Sequence, residues 1–487
     1  MVCVVVSMRR IAVEVTPRLG SGTKILYGIG EVANAVKTTI FGLFMLFFYT
    51  TVMGLPGTWV GVAGVLVLVW DAAIDPYIGY LSDKARFRFG RRHTFMLIGA
   101  LTMGVSFWAL FSPPQGLSTG ALFGWALGSN LLVRTAASVY SIPYYALGAE
   151  LSRDYHERTS ITGIRGILAL LGTLAAAALS FVTFFPDRTP GVDPKLNYAG
   201  YPMMGLVLGV SMTIVGLIAT LGTLSRRPNL PTGDEAMTFQ APRRYLVGAV
   251  QSLRNPSFRV LFASFSLFFL GVVINSSLSL HFLTYYVKIT ASTALSTFQV
   301  TLFAGGLVGV AFWLLVSRVV EKHWLYFLAS LAIAALMLAA LLLLGDGRLF
   351  GTGDVRPVIV GHGLVGFFAS ILWFIPASMI ADVTDEDELA TGRRREGSFF
   401  GILSFGEQLA TGLSVFLTGV LLDWFAGLIP AQAQQSGLTV HRIGVLYSVL
   451  PAALVLAAAV LMFRYTLTRP TVLSIQAELE RRRRQCL

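Results

Sequence analysis

The sequence is poor in charged residues and has almost no cysteine, and both shortages narrow its class. Only 13% of the 487 residues are charged, whereas 55% are hydrophobic; soluble domains carry about 25% charged residues. The two cysteines, Cys3 and Cys486, lie near opposite ends of the chain, so no disulfide framework is indicated. The composition therefore excludes an ordinary soluble domain and predicts an all-α integral membrane protein.

Sequence motifs that carry enzymatic chemistry are also missing. The chain has no nucleotide-binding loop, no Ser/His/Asp set and no metal-type spacing among its 6 scattered histidines. A net charge of +12 comes without a nucleic-acid-binding module and is typical of the basic loops of a membrane protein. We therefore expect no enzyme, no cofactor and no nucleic-acid partner.

Long apolar runs make up most of the sequence. A helix needs about 20 apolar residues to cross the hydrocarbon layer, and the sequence contains twelve runs of that kind. They lie at about 25–53, 57–82, 93–112, 119–151, 160–184, 202–224, 258–288, 293–317, 324–345, 356–382, 398–426 and 441–466. The pattern predicts twelve transmembrane helices.

A polar connection divides these runs into two groups of six. The predicted organisation is an N-terminal segment 1–24, a first half 25–224, a linker 225–257, a second half 258–466 and a basic tail 467–487. Because basic loops stay in the cytoplasm, the basic residues place both termini there, in a monomeric protein of the plasma (inner) membrane. These residues are Lys84, Arg86, Arg88, Arg91, Arg92, Arg153, Arg158, Arg318, Lys322, Arg393, Arg394, Arg395 and the tail arginines 481–484.

Two acids lie inside the second predicted span, in "WDAAIDPYIGYLSDKARFRFGRRH" (70–93). Asp71 and Asp75 are four residues apart, so they share one face of a helix. Ionisable residues are rare inside spans and usually face a cavity or a partner. Two carboxylates suit a hard cation such as Na⁺, or a proton, because close acids raise one another's pKa. The alternative is a structural pair satisfied by neighbouring hydroxyls or by an arginine.

The same stretch resembles the second helix and following loop of the glycoside–pentoside–hexuronide:cation symporters, the melibiose-permease family. That family carries Asp-x-x-x-Asp-Pro-x-x-Gly before a basic loop. Three further stretches are similar to it: "YGIGEVANAV" (27–36), "YSIPYYALGAELSRDYHERT" (140–159) and "ADVTDEDELATGRRREGSFFGI" (381–402), the last resembling the loop before the eleventh helix.

The resemblance implies a major facilitator fold with two six-helix halves that rock around a central site. It further implies cation-coupled symport of a sugar or glycoside by alternating access. The sodium-dependent lysophosphatidylcholine transporters share the same core, so transport of a lysophospholipid or another amphiphile stays as the alternative. In either case the expected partners are a small-molecule substrate, a coupling cation and the lipid bilayer.

By this resemblance, the cation ligands are Asp71, Asp75 and a hydroxyl of the fourth helix, Ser138. The family has an asparagine before its second acid, where this sequence has Ile74. Because Na⁺ needs several oxygen ligands and a proton needs one basic group, the departure favours H⁺ without excluding Na⁺. No other metal is expected.

The sugar-binding acids of the family are replaced by Ala35 and Ser141. An arginine in a cavity can clamp a carboxylate or phosphate, so the arginines of the fourth and fifth spans either bind substrate or pair with Asp71, Asp75 or Glu31. A glutamine stands in the eleventh span where family members often have a lysine. The predicted substrate-binding set is Glu31, Asn34, Arg134, Ser141, Arg165, Trp373, Glu407 and Gln408. For Trp373, packing is the alternative role, and for Glu407 it is a structural hydrogen bond.

Charged residues of both signs cluster at the predicted cytoplasmic mouth. Such clusters can form and break a gate as the halves rock, although exposed pairs contribute only about 0–1 kcal/mol each and can merely fix topology. The predicted gating residues are Asp83, Arg91, Arg92, Asp382, Asp385, Arg394 and Glu396.

Overall fold

The computed structural model describes residues 19–85, 87, 89–152, 154–187, 192–225 and 252–485. Within these ranges the regular elements are helices, and no strand occurs. Residues 1–18 of the predicted N-terminal segment and 226–251 of the predicted linker lie outside the described residues. So do three of the loop arginines on which the orientation was based, Arg86, Arg88 and Arg153.

Ten of the described helical segments are long and apolar enough to cross a membrane. Their edges fall within a few residues of the predicted runs, except where noted below. The α-helices are α1 Ser21–Gly28, α2 Glu31–Ile40, α3 Gly57–Lys84, α4 Arg91–Leu110, α5 Thr119–Glu150, α6 Tyr155–Phe184, α7 Gly200–Gly222, α8 Pro256–His281, α9 Ser292–Val316, α10 Lys322–Leu343, α11 Arg356–Ala369, α12 Ile375–Thr391, α13 Glu396–Leu421, α14 Gly437–Leu461 and α15 Arg469–Gln485.

The first and fourth predicted runs are helical but are not among these ten segments. The first is interrupted between α1 and α2 and continues through two π-helical turns, Phe41–Met45 and Phe48–Val52. The fourth is the unbroken helix α5. Both carry polar and charged side chains that build the candidate site.

The tenth predicted run differs most from the structure. Its helix α11 is followed by a 3₁₀ turn, Ser370–Trp373, and α12 then continues to Thr391. The sequence predicts a loop between the tenth run, which ends at 382, and the eleventh, which starts at 398; this prediction is wrong for residues 383–391, which continue the helix. Nothing in this acidic stretch breaks a helix before Gly392, which has φ 69° and supplies the left-handed C-terminal cap.

One end of the helix bundle, called here the charged end, carries the predicted gating residues. It is defined by Asp83, Arg91, Arg92, Asp382 and Arg394. Helices α3, α5 and α12 end there, and α4 and α13 begin there. The first described helix, α1, and the tail helix α15 lie at the same end, because α1 pairs with the start of α6 and α15 packs against α12.

The opposite end is called the closed end, because the backbones of the two halves approach each other closely there. Helix α3 of the first half lies against α13 of the second: a Cβ added to Gly57 would lie 2.6 Å from the carbonyl oxygen of Gly419, and one added to Gly61 would lie 2.9 Å from the Cα of Phe416. Only glycine allows so close an approach of two backbones. The apolar core of the first half continues into this end of the second half.

The basic tail is an ordered helix rather than a free extension. Helix α15 buries Ile475 and Leu479. Gln476 donates a hydrogen bond to Asp385 (3.0 Å), and Arg483 pairs with Glu388 of α12 (2.8 Å). The tail therefore covers part of the acidic surface at the charged end of the second half.

Candidate cation and substrate site

One polar stripe on α5 organises the candidate site. Arg134, Ser138, Ser141 and Tyr145 follow one another at spacings of four, three and four residues, which places them on a single helix face. The stripe spans about 16 Å at 1.5 Å per residue. It begins beside α3 and reaches α2 and α6 towards the charged end.

The first part of the stripe meets the two acids of α3. The Arg134 guanidinium (Nη1) lies 3.4 Å from Oδ2 of Asp71. The Ser138 hydroxyl donates a short hydrogen bond of 2.5 Å to Oδ1 of Asp75. The three predicted cation ligands therefore lie on facing surfaces of α3 and α5, and the alternative that an arginine pairs with an acid is realised at Asp71.

Arg134 is held in place from a second side. Its guanidinium lies over the ring of Phe41, 5.6 Å from the ring centroid, which adds a cation–π contact. Lys37 of α2 lies near enough to interact electrostatically with Arg134, Asp71 and Asp75. Two cationic and two anionic side chains thus share this part of the site. Buried Oδ1 of Asp71 and Nε of Arg134 have no hydrogen-bond partner among the described residues.

The second part of the stripe forms a hydrogen-bonded cluster with α2 and α6. Ser141 donates to the side-chain oxygen of Asn34 (2.7 Å), and Asn34 donates to the Tyr145 hydroxyl (3.3 Å). Tyr145 in turn donates to Glu31 (2.9 Å). Nε of Arg165 lies 3.7 Å from the other Glu31 oxygen, and its guanidinium lies 5.1 Å from the Tyr145 ring centroid.

This cluster brings together four of the predicted substrate residues: Glu31, Asn34, Ser141 and Arg165. Each offers a donor or an acceptor, and the cluster is partly exposed; the Arg165 side chain is 31% exposed. Tyr145, at 42% exposure, was missed from the sequence. The stripe spacing after Ser141 was the signal that could have found it.

The other four predicted substrate residues do not join this cluster; Arg134 is one of them and lies beside Asp71 instead. Glu407 is half-buried and Gln408 is exposed on α13, and neither side chain has a hydrogen bond or ion pair within the described part of the chain. Trp373 lies in the second half, where its ring contacts Gly306. The structure therefore separates Trp373 from the polar cluster of the first half.

Trp373 instead lines an apolar cavity of about 880 Å³ between α8, α9, α10 and α11. Most of its walls are leucine, valine, phenylalanine and glycine. Its polar members include Asn275, Gln299, His362 and Arg356. This cavity suits a hydrocarbon chain better than a sugar, because few of its lining groups can bond to hydroxyls.

At the charged end, the first-half gating residues form a compact ion-pair network. Arg92 lies 2.5 Å from Asp83 and 3.0 Å from Glu150, and Arg91 also pairs with Glu150 (2.7 Å). The Arg92 side chain is only 8% exposed and also donates to Ser82 (2.8 Å). Glu150 was not among the predicted residues, yet it joins the ends of α3, α4 and α5.

The second-half gating residues form their own network. Asp382 pairs with Lys322 (2.5 Å), and Arg394 contacts Asp385 (3.2 Å) and Glu396 (3.1 Å). The Arg394 side chain is 46% exposed. The ion pairs described for the charged end thus each stay within one half.

The closed end, in contrast, is tied together by bonds between the halves. Asp423, after α13, accepts hydrogen bonds from the backbone N–H groups of Gly57 (2.8 Å) and Thr58 (2.7 Å), at the start of α3. Asp187, after α6, accepts from the backbone N–H of Ser292 at the start of α9, through both oxygens (3.1 and 3.0 Å). Each half therefore caps a helix of the other half with a carboxylate. The negative charge also interacts favourably with the positive end of the helix dipole.

A loop between α6 and α7 extends this contact. Lys195 is fully buried and pairs with Asp193 (2.7 Å), which also accepts a hydrogen bond from Thr284 of the second half (3.2 Å). Burial lowers the pKa of Lys195 below its usual value, and the Asp193 carboxylate opposes that shift. Thr50 and His281 form a further buried contact between the halves (3.0 Å).

The chain is similar along most of its length to known transport proteins. The family described as "MFS/sugar transport protein" matches residues 26–469. The inner membrane symporter YicJ of Escherichia coli is 25% identical over 95% of this chain and 95% of its own length. The isoprimeverose transporter of Lactiplantibacillus pentosus is 24% identical, covering 87% and 84% of the two chains. The sodium-dependent lysophosphatidylcholine symporter 1 of Gallus gallus is 23% identical, covering 93% and 88%.

Solved structures share the fold at lower identity. A bacterial homologue of the human lysosomal transporter Spinster, in an inward-facing and unoccupied conformation, has a TM-score of 0.61 at 15% identity and covers 92% of this chain and 98% of its own. A structure from a study of proton-dependent oligopeptide transporters has a TM-score of 0.61 at 15% identity, with coverage of 94% and 100%. At these identities the likeness shows the fold alone.

Proposed function

This chain belongs to the MFS/sugar transport family, and from that membership we propose that it carries out cation-coupled symport of a sugar or glycoside. Its relatives are symporters and other transporters rather than enzymes. The predicted family is therefore confirmed, as is a multi-pass protein of the plasma membrane. The substrate class, the coupling ion (H⁺ or Na⁺) and a monomeric state are the proposed parts.

The observation that carries the sugar assignment is the polar cluster of the first half. Sugars present several hydroxyl groups, each of which can donate and accept hydrogen bonds. Asn34, Ser141 and Tyr145 supply matching groups, while Glu31 and Arg165 add a charged acceptor and a charged donor. The cluster is connected to the acid pair through α5, so substrate and cation would bind to neighbouring turns of one helix.

We further propose the full topology of twelve transmembrane helices with both termini in the cytoplasm. The α1–α2 segment with its π-helical turns, and α5, are the two spans beyond the ten apolar segments. Basic residues favour the cytoplasmic side for the charged end. The structure then corresponds to a state in which the outer, closed end is sealed and the site faces the cytoplasm.

Alternating access requires the two ends to exchange roles. In the outward-facing state, the charged networks that now stay within each half would meet across the cytoplasmic mouth. Asp83, Arg91 and Arg92 would face Asp382, Asp385, Arg394 and Glu396. The carboxylate caps of Asp187 and Asp423 would break at the same time. Electrostatic rearrangement at both ends is a common basis for such switching.

A lysophospholipid or another amphiphile is the second candidate substrate. The apolar cavity lined by Trp373 in the second half favours it, because that cavity has room for a hydrocarbon chain. The lysophosphatidylcholine symporter among the relatives supports it as well. In this case Arg165, in the first half, would bind the headgroup.

Substrate-evoked currents in proteoliposomes test the proposal. Sugars, glycosides, uronates and lysophospholipids would be screened under imposed H⁺ and Na⁺ gradients. We expect a sugar-evoked current that Asp75→Asn abolishes and that Asp346→Asn, which changes an exposed loop acid, leaves intact. A response to a lysophospholipid, with none to any sugar, would replace the first candidate by the second.

A further inference from the structure

The side chain of Arg134 lies where a coupling cation would contact the first acid. Its guanidinium is 3.4 Å from Oδ2 of Asp71, and the ring of Phe41 supports it from behind. Arginine keeps its charge under all conditions that a protein tolerates. Asp71 therefore has a permanent cationic partner supplied by the neighbouring helix.

The charge around the acid pair is already balanced. Asp71 and Asp75 contribute two negative charges, while Arg134 and Lys37 contribute two positive charges within electrostatic reach. A metal cation entering this site would add a net positive charge to a partly buried cluster. The attraction that two free carboxylates would exert on Na⁺ is thus largely cancelled.

The number of oxygen ligands is low as well. Hard cations need several oxygen atoms around them. One Asp71 oxygen faces Arg134, the neighbour of Asp75 is the apolar Ile74, and Ser138 directs its hydroxyl hydrogen to Asp75. The unpaired oxygens that remain are too few for a closed coordination shell without rearrangement.

From these contacts we infer that Arg134 is a built-in counterion of Asp71 that excludes Na⁺ and determines which cation the protein uses. This inference rests on the proposed cation coupling and specifies its ion. A proton needs no coordination shell, so H⁺ is the coupling ion compatible with the arrangement. Removal of the guanidinium would leave the two carboxylates and the Ser138 hydroxyl without an arginine beside them.

The expected size of the effect follows from Coulomb's law. A Na⁺ ion bound to the free Asp71 oxygen would lie about 5 Å from the guanidinium. At an effective dielectric constant of about 20, the repulsion between these charges lowers Na⁺ affinity by about 250-fold. Arg134→Gln should therefore raise Na⁺ affinity by about that factor.

Equilibrium binding of radioactive sodium to the purified full-length protein tests the inference without any substrate. We expect no saturable binding to the wild type at low millimolar Na⁺, and saturable binding to Arg134→Gln. Arg134→Lys, which keeps the charge, should behave as the wild type. Arg165→Gln is the matched comparison, because it removes the arginine that pairs with Glu31 rather than Asp71; it should not create Na⁺ binding.

A second substitution tests whether the acquired Na⁺ site includes Asp71. Adding Asp71→Asn to Arg134→Gln should abolish the acquired Na⁺ binding. Saturable Na⁺ binding to the wild type that Asp71→Asn removes would overturn the inference, and this result needs no arginine variant to fold. A folded Arg134→Gln protein that still fails to bind Na⁺ would overturn it too. Since the assay contains no sugar, an incorrect substrate class would not alter these results.

Discussion

The carboxylate cap that Asp423 places on α3 should control how often the closed end opens. It accepts hydrogen bonds from Gly57 and Thr58 across the interface between the halves (2.8 and 2.7 Å). Asp423→Ala removes both bonds and leaves two helix N–H groups without their partner. Asp423→Asn keeps one acceptor oxygen but loses the charge, so its effect should be smaller.

The magnitude follows from the type of bond. Hydrogen bonds to a charged group contribute about 1.5–3 kcal/mol each. In the opened state, hydrogen bonds to water restore part of this energy. We take about 2–3 kcal/mol for the pair in Asp423→Ala. Because 1.4 kcal/mol corresponds to a factor of ten, the ratio of closed to opened outer end should fall by about 30- to 150-fold.

Distance measurement between spin labels can detect this shift. Cysteines placed at Lys84 and Ala390 report on the two halves at the charged end, after Cys3 and Cys486 are replaced by serine. We expect a long distance in the parent protein and, in Asp423→Ala, a shorter-distance population that grows about 30- to 150-fold relative to the long one, because the charged end closes when the other end opens.

Asp346→Ala is the matched control for the spin-label experiment. It removes an exposed acid from the loop between α10 and α11, which lies at the closed end of the bundle, as Asp423 does. This variant should keep the parent distance distribution. An unchanged distribution in Asp423→Ala would refute the view that the cap stabilises the closed end.

Two further predictions concern the substrate cluster and the charged end. Tyr145→Phe removes a hydroxyl that donates to Glu31 (2.9 Å) and that we propose also bonds to the sugar. Loss of one hydrogen bond to the sugar, about 1 kcal/mol, should raise the KM about five-fold in uptake assays. Arg92→Gln leaves Asp83 without its arginine and Glu150 with Arg91 alone, which should cost about 1.5–3 kcal/mol. Arg394→Gln changes a half-exposed arginine and should cost about 1 kcal/mol or less; thermal unfolding in detergent measures both.

These two predictions have clear contrary outcomes. A Tyr145→Phe protein with unchanged KM for every transported sugar would remove Tyr145 from the substrate site. Equal losses of thermal stability in Arg92→Gln and Arg394→Gln would show that burial does not distinguish the two networks.

The helices could be predicted from the sequence because apolar runs of membrane length leave few alternatives. The predicted runs 293–317 and 324–345 correspond to α9 Ser292–Val316 and α10 Lys322–Leu343. The prediction of a loop after residue 382 was wrong as far as Thr391, because the apolar run ends at 382 and the resemblance places a loop before the eleventh helix. The sequence alone did not reveal that Lys322 and Arg395 supply partners for Asp382 and Asp387.

The candidate site was predictable in its members but only partly in its pairing. The spacing of Asp71 and Asp75 indicated a shared face, and the resemblance added Ser138. Which acid each arginine meets depends on how α2, α3, α5 and α6 pack, and the sequence left that open.

The contacts across the closed end could not be predicted from local sequence at all. Asp423 and Gly57 are 366 residues apart, and neither residue carries a local signal of the other. Helix-capping rules identify acids near helix starts along the chain, but here the acid comes from the opposite half of the molecule.

The central claim, that the polar cluster binds a sugar and that the neighbouring acid couples it to a cation, is tested most directly by separating exchange from accumulation. In proteoliposomes, Asp75→Asn should still exchange labelled for unlabelled sugar across the membrane, because the Asn34–Tyr145 cluster is intact. It should lose the accumulation that an imposed cation gradient drives in the wild type. Gradient-driven accumulation that persists in Asp75→Asn would contradict the account.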